Sequence, residues 1–280
     1  SKADLVDEQI DTTTRVILGV SVACARCHDH KFDPISQTDY YALAGIFQST
    51  ETCFGGTRSL RNRQPSNLIA MPVPDLKKED RPISKKELGE LKTQLKQLEE
   101  QYVEARRAQR QPSNENRNSF ISVAILDQAI ASVTNRIISF DEEGRPISMC
   151  MGVQDADRAR PARLLVRGEI DQPAQEVPRG FVEVLNSSNR KLPANASGRL
   201  ELAEWLTSKD NPLTARVMVN RIWKQLIGNA IVEETDNFGM SGPLPSHPEL
   251  LDHLAIEFME NQWSVKHMIR VIATSRVYRL

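Results

Sequence analysis

The apolar seam Leu88, Leu91, Leu95, Leu98, Tyr102 and Ala105 constrains this chain more than any other feature. Its alternating steps of three and four residues fit a helix, which repeats about every 3.6 residues, and not a strand, which alternates. The seam predicts one long, charge-dense helix over 84–110. Gln111-Pro-Ser-Asn-Glu-Asn then breaks it, and helical spacing resumes between Phe120 and Phe140 through Ile121, Ile125, Ala129, Val133 and Ile137. Two helices joined by a polar break read as a hairpin. A dimerising coiled coil, the competing reading, needs more heptads than the seam supplies.

The period changes after residue 140. Ile147, Met149, Met151 and Val153 alternate as in a half-buried strand, Leu164-Leu-Val-Arg-Gly reads as a second strand and Phe181-Val-Glu-Val-Leu as a third. Helical patterns occupy both ends. Asp4 to Leu18 carries Ile10, Val16 and Ile17, with Asp11-Thr-Thr-Thr as an interruption, and Ser36 with Asp39 opens a helix bearing Tyr40, Leu43, Ala44 and Phe47. Toward the other end, Gly198 to Ser208 is helical, and Asn211-Pro212 starts a helix that Gly228 ends. Ser246 and Glu249 form a capping-box pattern, and Ser264 opens the last helix. The expected fold is mainly α with a small β-module in the middle, an α+β class. Four parts follow: a helical region over 1–54, a linker and long helical hairpin over 55–140, the β-module over 141–190 and a second helical region over 191–280.

Composition narrows the class of function. With 280 residues, 36 Lys plus Arg against 37 Asp plus Glu and 40% hydrophobic residues, the chain has an ordinary soluble balance and no nucleic-acid surface. No stretch is long and apolar enough for a membrane span. The chain starts at Ser1 without Met and stops at Leu280 within a helical pattern, so it reads as a fragment. Four cysteines (Cys24, Cys27, Cys53, Cys150) are too few for a disulfide framework, and Cys150 sits in an apolar alternation that suits a core position.

The densest chemistry lies in Cys24-Ala-Arg-Cys27-His28-Asp-His30-Lys-Phe-Asp33-Pro-Ile. Cys-x-x-Cys-His is the attachment pattern of a c-type haem: Cys24 and Cys27 reach the porphyrin as thioethers and His28 meets the iron. The sixth ligand is left open among Met71, Met149, Met151, Met240 and His247. The same run also suits zinc or another transition metal, with Cys24, Cys27, His28 and His30 as ligands and Cys53, Asp29 or Asp33 completing the set. A third reading leaves the cysteines as a disulfide or buried thiols and the histidines hydrogen-bonded in the interior.

Two further groups are weaker. Arg216, Asn220, Arg221 and Trp223 stand at helical spacings that suit buried polar anchors and packing. Asp236, Asn237, His247 and Glu249 flank the glycine-rich loop Asn237-Phe-Gly-Met-Ser-Gly-Pro, the material of general acid–base catalysis. That loop lacks the phosphate-binding glycine patterns, and no G-x-S-x-G elbow occurs.

Cys24 to Ile35, followed by Gln37-Thr-Asp-Tyr-Tyr-Ala-Leu, resembles the end of the planctomycete cytochrome-c-associated (PSCyt) domain. Arg199-Leu-Glu-Leu-Ala-Glu-Trp-Leu-Thr, Asn211-Pro-Leu-Thr-Ala-Arg-Val-Met-Val-Asn-Arg-Ile-Trp, Asp236-Asn-Phe-Gly, Pro245-Ser-His-Pro-Glu-Leu-Leu-Asp and Ile272-Ala-Thr-Ser-Arg-Val-Tyr-Arg resemble its companion, the PSD domain. With Arg167-Gly and Val177-Pro-Arg-Gly-Phe, the resemblance covers most of the chain outside 55–140. Both are domains of unknown function. The resemblance implies part of a large exported multidomain protein, periplasmic or otherwise extracytoplasmic, whose partners are its own other domains and a redox partner. The expected function is haem-based electron transfer. The alternatives are an extracytoplasmic enzyme acting on polysaccharide, with a structural or non-haem metal in the Cys/His site, and an interaction module that docks through 84–110.

Overall fold

The computed structural model describes residues 2–55, 68–71, 82–109, 116–186 and 191–279. Most of the Gly- and Pro-rich stretch from 55 to 82, and nearly all of the Gln111–Asn116 break, lie outside them. Eight helices are assigned: α1 (Lys2–Ile17), α2 (Gln37–Gln48), α3 (Lys85–Gln109), α4 (Asn116–Ile138), α5 (Arg199–Leu206), α6 (Thr214–Ile227), α7 (Pro248–Glu260) and α8 (Val265–Thr274). The strands are β1 (Thr50–Cys53), β2 (Ile69–Ala70), β3 (Met149–Cys150), β4 (Gly152–Asp155), β5 (Ala162–Leu165) and β6 (Pro173–Val177). They pair only as two-stranded ribbons, β1 with β4, β2 with β3 and β5 with β6. The mainly helical α+β expectation holds.

The chain divides into two compact units, one of residues 1–51 and 155–280 and the other of residues 52–154. The anticipated β-module over 141–190 is therefore not one body, because β3 falls in the second unit whereas β5 and β6 belong to the first.

In the second unit α3 packs along α4 as an antiparallel hairpin. The predicted seam is what turns inward: Leu88 is buried and Leu91, Leu95, Leu98, Tyr102 and Ala105 are half-buried between exposed neighbours. The alternation from Ile147 to Val153 predicts one strand, and the structure has two, β3 and β4, with Ile147 in neither. β3 pairs with β2 through Ile69 opposite Cys150 and Ala70 opposite Met149, while β4 takes β1, so Met151 is left outside both ladders and 73% exposed. Alternation fixes which face a residue takes and says nothing of its partner strand.

The first unit has two cores. Val6, Ile10, Leu18 and Val22 meet α2 through Tyr40, Leu43 and Ile46, and the same cluster takes in Phe181, Val182, Leu202 and Trp205. Phe181 stacks on Trp205, ring centroids 5.1 Å apart. The second core gathers Val219 of α6, Leu251, Leu254 and Phe258 of α7, and Met268 and Ile272 of α8.

Several local expectations need correction. Asp11-Thr-Thr-Thr does not interrupt α1, because Thr14 Oγ1 donates to the Ile10 carbonyl inside a continuous helix. Phe181 to Leu185 is not a strand. The Glu183 N–H turns to Asp39 Oδ1 of α2, as the preceding Gly180 N–H does to the Ala42 carbonyl, and Glu183–Leu185 closes a 3-10 turn. The partner of β5 is instead β6, with Ala162 opposite Val177 and a bulge between Arg163 and Leu165. Asn211 caps a turn before α6 rather than the helix itself, accepting from Leu213 N–H at 3.0 Å. Gly228 does end α6, at φ 96°. Ser246 and Glu249 make no capping box, since Pro248 opens α7 and Ser246 spends its N–H and hydroxyl on the Ile231 carbonyl.

Candidate functional site

Gly19, at φ 65°, turns the chain out of α1, and Val22–Arg26 follows as a 3-10 turn. A 3-10 turn repeats every third residue, so residues three apart share a face. Val22 and Ala25, both fully buried, form the inner face. Cys24 and Cys27, spaced in the same way, share another face and are exposed, and no disulfide joins them.

The turn is held from behind by α2. The Arg26 carbonyl accepts from Tyr41 Oη at 3.1 Å and from Gln37 Nε2 at 2.9 Å, while its guanidinium faces Asp4 and Asp7. Tyr40 Oη donates to Asp7 at 2.7 Å, and burial, reinforced by that carboxylate, pushes its phenol well above the ordinary range. Ser36 and Asp39 close a reciprocal capping box that starts α2 beneath the loop.

The two histidines differ. His28 is exposed, and its Nδ1 lies 2.6 Å from the Asp29 carbonyl, an acceptor only, so Nδ1 carries the proton and Nε2 keeps its lone pair. His30 is enclosed, its side chain 6% exposed. Its Nδ1 accepts from the backbone N–H of Asp33 at 2.8 Å and of Phe32 at 3.3 Å, which puts its proton on Nε2, 3.3 Å from Ser21 Oγ. Both ring nitrogens of His30 are thus spent on the loop itself. The nearby Asp33 Oδ2, 3.4 Å from Nδ1, faces a nitrogen without a proton and makes no ion pair with it.

Asp33 joins this loop to the glycine-rich loop. Its Oδ1 accepts from Met240 N–H at 2.6 Å, and a Cβ at Gly239 would lie 2.5 Å from the same oxygen, so only glycine allows the approach. Phe238 N–H donates to the Gly19 carbonyl at 2.6 Å. Gly168, at φ 75°, is a second such position, where a Cβ would stand 2.7 Å from Cys27 Sγ. The sequence offered Arg167-Gly168 and the glycine-rich loop as motifs, without a sign that each closes on the cysteine–histidine loop.

Asp29 and Asp39, with Asp33, His30, Ser36 and Glu183, line a cavity of about 450 Å³. The aspartates in it accept backbone N–H groups: Asp29 from Gln37, Asp39 from Ser36 and Glu183. Among the described residues no group of three or more His, Cys, Asp and Glu side chains is placed to hold a metal ion. Cys53, Met71, Met149, Met151 and Cys150 belong to the second unit. Met240 and His247 belong to the first and are exposed, His247 with Nδ1 3.1 Å from Ser246 Oγ.

The polar residues of α6 are anchors. Arg216 pairs with Asp252 at 2.6 Å. Asn220, fully buried, exchanges two 2.9 Å hydrogen bonds with the backbone of Val232. Arg221 donates to the Val16, Arg15 and Thr235 carbonyls and so caps the end of α1; burial lowers its hold on the proton, against the pull of Asp236. Asn237 bonds Glu234 at 2.8 Å, so this residue and His247 each have a neighbour of their own.

Fold and site define a helix-dominated protein in which a carboxy-terminal glycine-rich loop pins an amino-terminal Cys-x-x-Cys-His loop. Residues 1–52 match the model of PSCyt2, a protein of unknown function (DUF1549), and residues 198–280 match that of PSD1, a protein of unknown function (DUF1553). The two matched segments, 1–52 and 198–280, take in the runs whose residues resemble these two families. No curated protein and no solved structure matched.

Proposed function

We propose that Cys24, Cys27 and His28 hold a c-type haem, the thiols as thioethers and His28 Nε2 as the iron ligand, in an extracytoplasmic multidomain protein that passes electrons to a redox partner. The observation that carries this reading is the donor set: two exposed thiols, Cys24 within the 3-10 turn and Cys27 capping its end, followed by an imidazole whose Nδ1–H is tied to the Asp29 carbonyl. A proximal histidine needs that tautomer, with the second nitrogen fixed by an acceptor. When bound, the haem supplies one-electron transfer at its iron. The protein's own part is to hold the loop: Tyr41 and Gln37 fix the Arg26 carbonyl, His30 closes the loop on itself, and Gly168 leaves room beside Cys27. Of the two sixth-ligand candidates in this unit, Met240 is the one whose backbone is bonded to the loop, and methionine ligation would raise the potential.

The test is expression in a host with haem maturation, followed by a pyridine haemochrome spectrum and an intact mass. A Soret band with a covalent mass addition is expected, and Cys24→Ala and Cys27→Ala each remove one thioether. A folded, colourless chain that carries zinc by elemental analysis would overturn the proposal.

A further inference from the structure

A second cavity, of about 580 Å³, opens where the glycine-rich loop meets the start of α6 and α7. Its walls include Val20, Ile35, Leu213, Val232, Phe238 and Leu251, drawn from both family segments and brought together only by the fold. The volume falls within the range of roughly 300–1,000 Å³ usual for small-molecule sites, and so does the apolar character with a few placed polar groups.

Those polar groups set the chemistry of the ligand. Arg216 Nε is 2.6 Å from Asp252 Oδ1 and Nη1 is 2.6 Å from the Pro212 carbonyl. Asp33, also in the lining, accepts the Met240 N–H. The Arg216 guanidinium is thus already matched by Asp252, and the other lining carboxylate, Asp33, adds negative charge, so an anionic ligand would lose its hydration there without gaining a partner. Among the described residues Arg216 Nη2 has no hydrogen-bond partner, and it is the donor we assign to a ligand acceptor. At the rim, Met240 and Leu244 stand 77% and 90% exposed on a loop whose backbone is bonded at Gly19, Asp33 and Ile231. They are apolar surface that a ligand in the cavity would cover.

We propose that this cavity binds a neutral, mostly apolar small molecule with a hydrogen-bond acceptor at one end, seated against Arg216. The proposal involves none of Cys24, Cys27 and His28 and shares with the haem reading only Met240, at the rim. Prodan, a neutral naphthalene ketone with environment-sensitive emission, is the probe. Titrated into the 280-residue chain, it is expected to give a saturable blue shift at one site per chain, competed by acetonaphthone and not by naphthalene sulfonate. Arg216→Met should weaken binding about tenfold, as loss of one hydrogen bond to a charged donor does. Leu251→Trp fills the cavity from its buried wall, and Val184→Trp fills it from a lining position 57% exposed, where the fold tolerates bulk. Either variant, folded by circular dichroism, should abolish the saturable shift. The proposal fails if prodan shows no saturable shift or if the shift survives in folded Val184→Trp. It also fails if light scattering reveals self-association that the same variant removes, because the cavity would then seat a second copy.

Discussion

At the scale of single residues, two imidazoles stand two positions apart in the motif and have opposite work. His30 accepts two backbone N–H groups and faces Ser21 in an enclosed setting, so His30→Ala removes the acceptor that closes the loop, leaves a void where the side chain was 6% exposed, and should cost about 2 kcal/mol in urea unfolding. His28 is exposed with one bond to the adjacent carbonyl, and His28→Ala should stay within about 0.5 kcal/mol. Equal losses would mean that the tautomer assignment, and the free Nε2 with it, is wrong. The sequence placed both histidines in the metal-ligand set, since spacing shows which side chains are near and not which nitrogens are already used. Asp33 was legible as an acid near the cysteines; its bond to Met240, 207 residues away along the chain, was not.

At the scale of elements, identical patterns part company according to what the backbone next to them can do. Ser36-x-x-Asp39 makes its box, so Ser36→Ala should cost about 1 kcal/mol in thermal melts. Ser246-x-x-Glu249 does not, because proline at the first helical position makes His247 the cap residue. The start of α5 is held differently. Asp155, at the end of β4, accepts from the N–H and hydroxyl of Ser197 and from Arg199, which together hold its carboxyl down to about 2. A carboxyl lowered in the folded state contributes stability above its unfolded value, near 4, and loses it as the pH falls through the folded value. Asp155→Asn should therefore lower Tm at pH 7, and its deficit against the natural chain should shrink between about pH 5 and pH 2. With the side chain 40% exposed, screening limits the loss to about 1 kcal/mol. A deficit that stays constant across that range would remove Asp155 as the titrating group.

At the scale of the whole molecule, the helices of both ends were readable because each carries its own period and punctuation. Their assembly was not, because it depends on long-range bonds such as those from Arg221 to the last carbonyls of α1. The same blindness made one β-module of strands that belong to two units. The first unit is built from residues 1–51 and 155–280, so the segment between them is an insertion in its chain. Its two ends are pinned: Ala156 N–H donates to the Ser49 carbonyl at 2.9 Å, and Ser49 Oγ bonds both the N–H and the carbonyl of Arg160. Chain ends so close can be joined by a tight turn without strain on the core behind them. Replacing residues 52–154 by Asn-Gly should accordingly leave the first unit folded, with the near-ultraviolet signal of Trp205, Trp223 and Trp263 and one cooperative melt, and with Cys24 and Cys27 as reactive toward a thiol reagent as in the full chain. Loss of the tryptophan signal would show that the first unit needs the 52–154 segment to fold, and that the cysteine–histidine loop is not held by the first unit alone.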